Sequence, residues 1–327
     1  MSDTRVVLHI GMPNAGSSAI QHGLFRHRDD LAAHGLHYYT GGKSPRLISS
    51  GNGKDVAAYL MPRRREQAFS EAVFEQTFAG RFLSPNHAVS LISGEQLAGV
   101  SADRLEDFRA RLLQGHDVRI VAFVRDLYPH VRSCWMQQIK RRAYVHEFER
   151  YAIDSYGDSQ CGGVLRFGRV FGFDRVTVIH MDGLKTDLFR TFLDAVGISA
   201  RFDPLPRINR GLSPAEVGAL RLCNRIHRNA ELATRVSDHL LQARPDAPRV
   251  SVWSPRIAAD LEARFQSRID RVNIRYFDKQ PVLRVGGAPA SADMDVIADR
   301  LAAWKGVLAA LAQEGWRGSR PRPGATG

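Results

Sequence analysis

The sequence predicts an α/β protein in which a parallel sheet is flanked by helices and the C-terminal half is mostly helical. Three observations predict it. Four short apolar, β-branched runs, at residues 6–10 (VVLHI), 88–93 (AVSLIS), 118–124 (VRIVAFV) and 175–180 (RVTVIH), are each followed by a segment with helical spacing. Strands that alternate with helices form a parallel sheet covered on both faces. A glycine-containing stretch, GMPNAGSS at residues 11–18, separates the first run from the first helical segment. After Gly197 the alternation stops, and Ser213-Pro214 and Ser254-Pro255 each read as an N-cap followed by proline at the first helical position, opening long Leu- and Arg-rich helices.

Between these elements, residues 41–55 (GGKSPRLISSGNGKD) read as a mobile loop, and the terminal RGSRPRPGATG reads as a disordered tail over residues 317–327. The α/β domain is expected to span residues 1–280, with a helical extension over 281–316. Trp135 and the leucines of the long helices are expected in the core.

With 327 residues and 44% hydrophobic content, the chain is large enough for a substantial core. It has no run of about 18 apolar residues and no basic start followed by an apolar stretch, which predicts a cytoplasmic protein with no stable membrane insertion. Cys134, Cys161 and Cys223 lack C-x-x-C spacing and an even count, so they read as reduced packing residues rather than as a disulfide framework or zinc site. The formal net charge is +12, and only six of the 46 basic residues are lysine. Planar guanidinium groups hold phosphate or sulfate at two points, which suits anionic ligands. Nucleic acid is not expected, because basic blocks with interleaved aromatics are confined to KRRAY (residues 140–144) and the shorter PRRRE (62–66).

The glycines of residues 11–18 have the G-x-x-x-x-G spacing of a P-loop, but Ser17 stands where the nucleotide-triphosphatase version carries lysine. A loop joining the first strand to the first helix aims the amides of Ala15, Gly16, Ser17 and Ser18 at one point, where the helix dipole also favours an anion. Taken alone, the same stretch also fits a tight strand-to-helix turn. Farther along, Arg125 closes the third apolar run and Ser133 follows eight residues later in the next helix.

Together these features resemble the sulfotransferase superfamily that uses 3′-phosphoadenosine 5′-phosphosulfate (PAPS), in particular bacterial carbohydrate-type sulfotransferases. The resemblance runs through PNAGSS (13–18), LISGEQL (91–97), Arg125 with Ser133, LRFGRVFG (165–172), INRGLSP (208–214) and RYFD (275–278), in order. It implies a P-loop-like α/β fold that binds PAPS or its product adenosine 3′,5′-bisphosphate without a metal. It also implies that residues 15–18 hold the 5′-phosphosulfate, that Arg125 and Ser133 hold the 3′-phosphate, and that Asn209 and Arg210 close over the adenosine. Glu95, just past the second strand, would take the acceptor's proton. The implied partner is a glycan or small-molecule acceptor. Asn14 occupies the position of the family lysine, and Ala15 replaces its usual Thr or Ser. That lysine stabilises charge on the oxygen bridging phosphate and sulfate, a contribution of about 3 kcal/mol, whereas asparagine offers a hydrogen bond without charge. Arg26 and Lys140 are the candidate substitute cations, while His9 and His22, which flank the loop, read as packed or solvated residues.

Three functions follow as expectations. The first is a PAPS-dependent sulfotransferase acting on a hydroxyl or amine of a glycan, glycolipid or small molecule. The second is a noncatalytic relative that binds nucleotide or an anionic glycan, which Asn14 favours. The third is a P-loop kinase, which would need a lysine beside the second glycine and an aspartate for magnesium. Acceptor identity and oligomeric state leave no pattern in the sequence.

Overall fold

The computed structural model describes residues 5–12, 15–41, 51–61, 70–184, 187–203, 211–247, 253–287 and 296–313. Strand β1 (Arg5–Ile10) leads through the glycine loop to α1 (Ser17–Arg26) and α2 (Arg28–Ala33), followed by β2 (Leu36–His37), α3 (Gly53–Leu60) and α4 (Glu71–Phe82). Strand β3 (Val89–Gly94) turns through a 3₁₀ segment, Glu95–Gly99, into α5 (Ala102–Leu112). Next come β4 (Asp117–Val124), α6 (Leu127–Arg142), α7 (Phe148–Arg150) with a π-helical turn Tyr151–Ser155, α8 (Ser159–Phe171), β5 (Val176–His180) and α9 (Leu188–Val196). The remaining elements are α10 (Pro214–His227), α11 (Ala230–Ala243), α12 (Pro255–Tyr276) and α13 (Val296–Gln313).

All five strands are parallel, in the order β2-β3-β1-β4-β5. This is the expected α/β class, and the four expected strands lie within one residue of their sequence bounds. Every residue of β3 and all but the first of β1 are buried, because helices cover both faces of the central strands. Strand β2 was not expected: with two residues it is too short to show a period of two.

The expected mobile loop over 41–55 is corrected in its described part. Residues 51–60 pack as a glycine-flanked turn entering α3, and Val56, Tyr59 and Leu60 are buried. Asn52 explains the local order. Beyond the two-residue pairing of β2, its side chain continues the ladder along β3, donating to the Leu91 carbonyl at 2.8 Å and accepting from the Ser93 amide at 2.7 Å. A Cβ at Gly53 would lie 2.8 Å from the Ser93 carbonyl carbon and 2.9 Å from the Gly94 nitrogen, both backbone atoms with little room to yield. Gly53→Ala is therefore expected to cost about 1–3 kcal/mol in urea unfolding. The control Gly80→Ala, whose Cβ meets nothing within 4 Å in α4, should be neutral or stabilising by up to about 1 kcal/mol.

The chain forms two compact units, each assembled from three segments. The first, residues 1–130, 157–208 and 258–286, contains the sheet. The second, residues 131–156, 209–257 and 287–327, is helical in its described residues and packs α10, α11 and α13 against one another. Ser213 opens α10 with a capping box: its Oγ accepts from the Glu216 amide at 3.2 Å, and Glu216 accepts from the Ser213 amide at 2.8 Å. Glu216 and Asp299 of α13, with side chains 0% and 4% exposed, share one counter-ion, Arg244, at 3.2 and 2.6 Å. Cys134, Cys161 and Cys223 are buried and free, and Trp135 is buried, its Nε1 donating to the His146 carbonyl at 3.1 Å.

Candidate functional site

Strand register brings three candidate segments to one edge of the sheet. Ile10 at the end of β1 lies opposite Gly94 at the end of β3, and His9 lies opposite Val121 of β4. The glycine loop, Glu95 and Arg125 therefore leave the sheet at the carboxyl ends of adjacent strands, where open parallel sheets bind ligands.

In the loop, Ala15 is fully buried and its amide donates to the Met12 carbonyl at 3.1 Å. Gly16 has φ 84°, the left-handed conformation that glycine adopts without strain, and it opens α1 with no side-chain cap. The amides of Gly16, Ser17 and Ser18 thus begin a helix and have no acceptor among the described residues, which leaves them available to an anion. Ser17 differs from its expected role: its hydroxyl turns inward to the Met12 carbonyl at 3.3 Å and is buried, so it braces the loop, while Ser18 is half-exposed. Pro13 and Asn14 lie outside the described residues, as do Asn209 and Arg210. Arg26, a candidate replacement cation, closes α1 nine residues beyond Ser17, a rise of about 13 Å, and is excluded from the loop by that distance. Lys140, the other candidate, belongs to the helical unit.

Glu95 abuts the loop. A Cβ at Gly11 would lie 2.6 Å from Ser17 Oγ on one side and 3.1 Å from Glu95 Cγ on the other, so only glycine lets the loop pass between them. The Gly11 amide donates to the Gly94 carbonyl at 3.2 Å, which locks the loop to the end of β3. Glu95 has no hydrogen-bond or ion-pair partner among the described residues, and burial pushes its carboxyl up to about 7. A carboxyl that ionises near neutral pH and makes no structural bond is suited to accept a proton.

Arg125 ends β4 as expected, but its guanidinium is already engaged. Nε and Nη2 donate to Asp182 Oδ1 at 3.0 and 2.8 Å, while Asp182 Oδ2 accepts from the Asp126 amide at 2.9 Å. Gln160, fully buried on α8, clamps the Arg125 backbone by accepting from its amide at 2.9 Å and donating to its carbonyl at 2.8 Å. Ser133 is half-buried in the second turn of α6, within the helical unit, whereas Arg125 belongs to the sheet unit. Asp182 and Gln160 were missed in the sequence. Asp182 follows β5 by two residues, and once β5 is placed beside β4 a carboxylate there becomes a natural partner for Arg125. Ligand atoms of Asp126, His180 and Asp182 lie within 4.8 Å of one another, near enough to share a cation. Their charge is also met by protein groups: His180 Nε2 sits 3.1 Å from Asp126 Oδ1, and Arg284 Nε sits 3.4 Å from Asp126 Oδ2. These contacts hold the Asp126 carboxyl below the usual range despite its burial.

His9 is a packed residue. His9 Nδ1 lies 2.8 Å from Ser93 Oγ, which also accepts from Gln21 Nε2 at 3.2 Å. Complete burial lowers the His9 pKa to about 3, so the ring is neutral and supplies no charge to the loop. His22, on α1, is half-exposed.

Size does not identify the site. A cavity of about 1320 Å³ lies at the amino ends of the strands, lined by Arg5, Arg119 and Arg175 around Asp117. No protein-family model matches the sequence, and no curated protein matches it. Among solved structures, the chain is similar to the crystal structure of a sulfotransferase from Alicyclobacillus acidocaldarius, with 17% identity over 70% of this chain and 98% of that one and a TM-score of 0.41.

Proposed function

We propose that the protein is a PAPS-dependent sulfotransferase that modifies a hydroxyl or amine of a glycan, glycolipid or small-molecule acceptor. The observation that carries this reading is the Glu95 carboxyl, which has no partner among the described residues, pressed against the glycine loop with its pKa pushed up to about 7. The residues present suit the nucleotide: the first-turn amides of α1 offer donors to the 5′-phosphate, and Arg125, held in place by Asp182 and Gln160, offers a guanidinium to the 3′-phosphate. When bound, PAPS supplies the activated sulfuryl group. The chain positions the acceptor oxygen or nitrogen, Glu95 takes the proton it sheds as the new bond to sulfur forms, and the α1 amides stabilise the departing phosphate.

The second reading, a noncatalytic relative, rests on Asn14 in place of lysine. Incubation with PAPS and a panel of glycan and glycolipid acceptors separates the two. Acceptor-dependent release of adenosine 3′,5′-bisphosphate is expected. Binding of the bisphosphate without turnover on any acceptor decides for the noncatalytic reading.

A further inference from the structure

We propose that the helical unit carries an oxyanion site of its own, in which Arg142, Arg225 and Arg228 hold a ligand bearing adjacent phosphate or sulfate groups. These arginines line a cavity of about 420 Å³ together with Ala143, Val145 and His146, and among the described residues no carboxylate lines it. Among the described residues, none of the three makes an ion pair or a side-chain hydrogen bond.

Their neighbours are different. Arg141 is bound to Asp238 at 2.7 Å, and Arg221 is bound to Glu147 at 2.5 Å and to the Val145 carbonyl at 3.0 Å. The local carboxylates are thus committed elsewhere, and three exposed guanidiniums share the rim of one cavity with only solvent to screen their mutual repulsion. Arg225 lies in the last turn of α10, and Arg228 caps the C-terminus of that helix. The C-terminal ends of α6 and α10 favour cations through their dipoles, which helps to place these residues while their N–H donors face solvent.

The frame around the cavity is fixed. Asn224, 1% exposed, donates to the Ile139 and Tyr144 carbonyls at 2.9 and 3.3 Å, and Arg221 grips Val145, so residues 143–146 are pinned to α10. Two of the lining residues, Ala143 at φ 50° and Arg228 at φ 48°, adopt the left-handed conformation that side chains other than glycine rarely take. Both residues follow the last turn of a helix, α6 and α10 respectively, where this conformation closes the C-terminus. KRRAY therefore divides its basic residues: Arg141 braces the helices, and Arg142 faces the cavity.

Three guanidinium forks exceed what one oxyanion group needs, which points to two or more adjacent groups, as in a diphosphate or a doubly sulfated sugar. Leu222 and Ile226, 41% and 66% exposed on the same helix, give the phosphate a second source, the headgroup of an anionic lipid.

The test titrates the full-length protein with inorganic diphosphate by calorimetry, and separately with phosphatidylcholine vesicles containing phosphatidic acid. Saturable binding is expected in at least one arm. The double variant Arg142→Ala, Arg225→Ala should weaken it by about a hundredfold, roughly tenfold for each charged donor lost. The charge-matched control Arg271→Ala, Arg300→Ala, two exposed arginines that do not line the cavity, should change it less than about threefold. Binding of diphosphate supports a soluble ligand, and binding of vesicles alone supports a lipid headgroup. If neither arm binds, or if the double variant and the control behave alike, the site is disproved. Should the alanine pair melt below the native protein, Arg142→Gln with Arg225→Gln, which keeps side-chain bulk, is read in its place.

Discussion

Glu95→Gln should lower sulfuryl-transfer turnover by about 10²–10⁴-fold, the usual contribution of a positioned general base, while leaving nucleotide binding nearly unchanged. The neutral amide keeps the shape of the carboxyl beside Gly11 but cannot accept the acceptor's proton. In the native protein, kcat/KM should rise with pH and level off above about 7, where the carboxyl is ionised, and this rise should vanish in the variant. Stability should move in the opposite direction. Burial raises the Glu95 pKa from 4.5 to about 7, so the folded chain holds this proton more tightly than the unfolded chain does. The stability tied to the protonated form is therefore fully present below about pH 4.5 and is lost as pH rises through about 7, a decline of roughly 3 kcal/mol. Urea unfolding at pH 5 and pH 8 should show this decline in the native protein and not in the variant. Equal pH dependence in both would mean that Glu95 is not the buried acid.

Arg244→Ala should cost about 3–5 kcal/mol of stability, because it leaves Glu216 and Asp299 as neighbouring buried carboxylates without their shared cation. The loss should appear as an earlier urea midpoint and as protease susceptibility at α13, which Asp299 ties to the Ser213 cap of α10 through a 3.0 Å hydrogen bond. A loss below about 1 kcal/mol would show that the two carboxylates find other partners or protons.

The strands of the sheet were legible because their β-branched runs are long enough to show a pattern, and α10 and α12 because Ser-Pro marks both starts. Strand β2 and the turn at 51–53 were not. Two residues carry no periodicity, and the order of GNG comes from Asn52 bonding to β3, a contact 39 to 41 residues away in the chain. The candidate site residues Glu95 and Arg125 were legible through their places at strand ends. Their surroundings were not: the desolvation around Glu95 and the Asp182 and Gln160 contacts of Arg125 depend on segments brought together only by folding. Ser17 shows the limit most clearly, since motif spacing fixes where a hydroxyl sits but not which way it turns.

The central claim is that the glycine loop and Arg125 hold a 3′-phosphorylated adenosine nucleotide, and thermal melting with two ligands tests it most directly. Adenosine 3′,5′-bisphosphate at about 100 times its dissociation constant should stabilise the protein by about 2.7 kcal/mol, with or without magnesium, and ATP with magnesium should do little. Stabilisation by ATP with magnesium and none by the bisphosphate would contradict the sulfotransferase reading and favour a kinase.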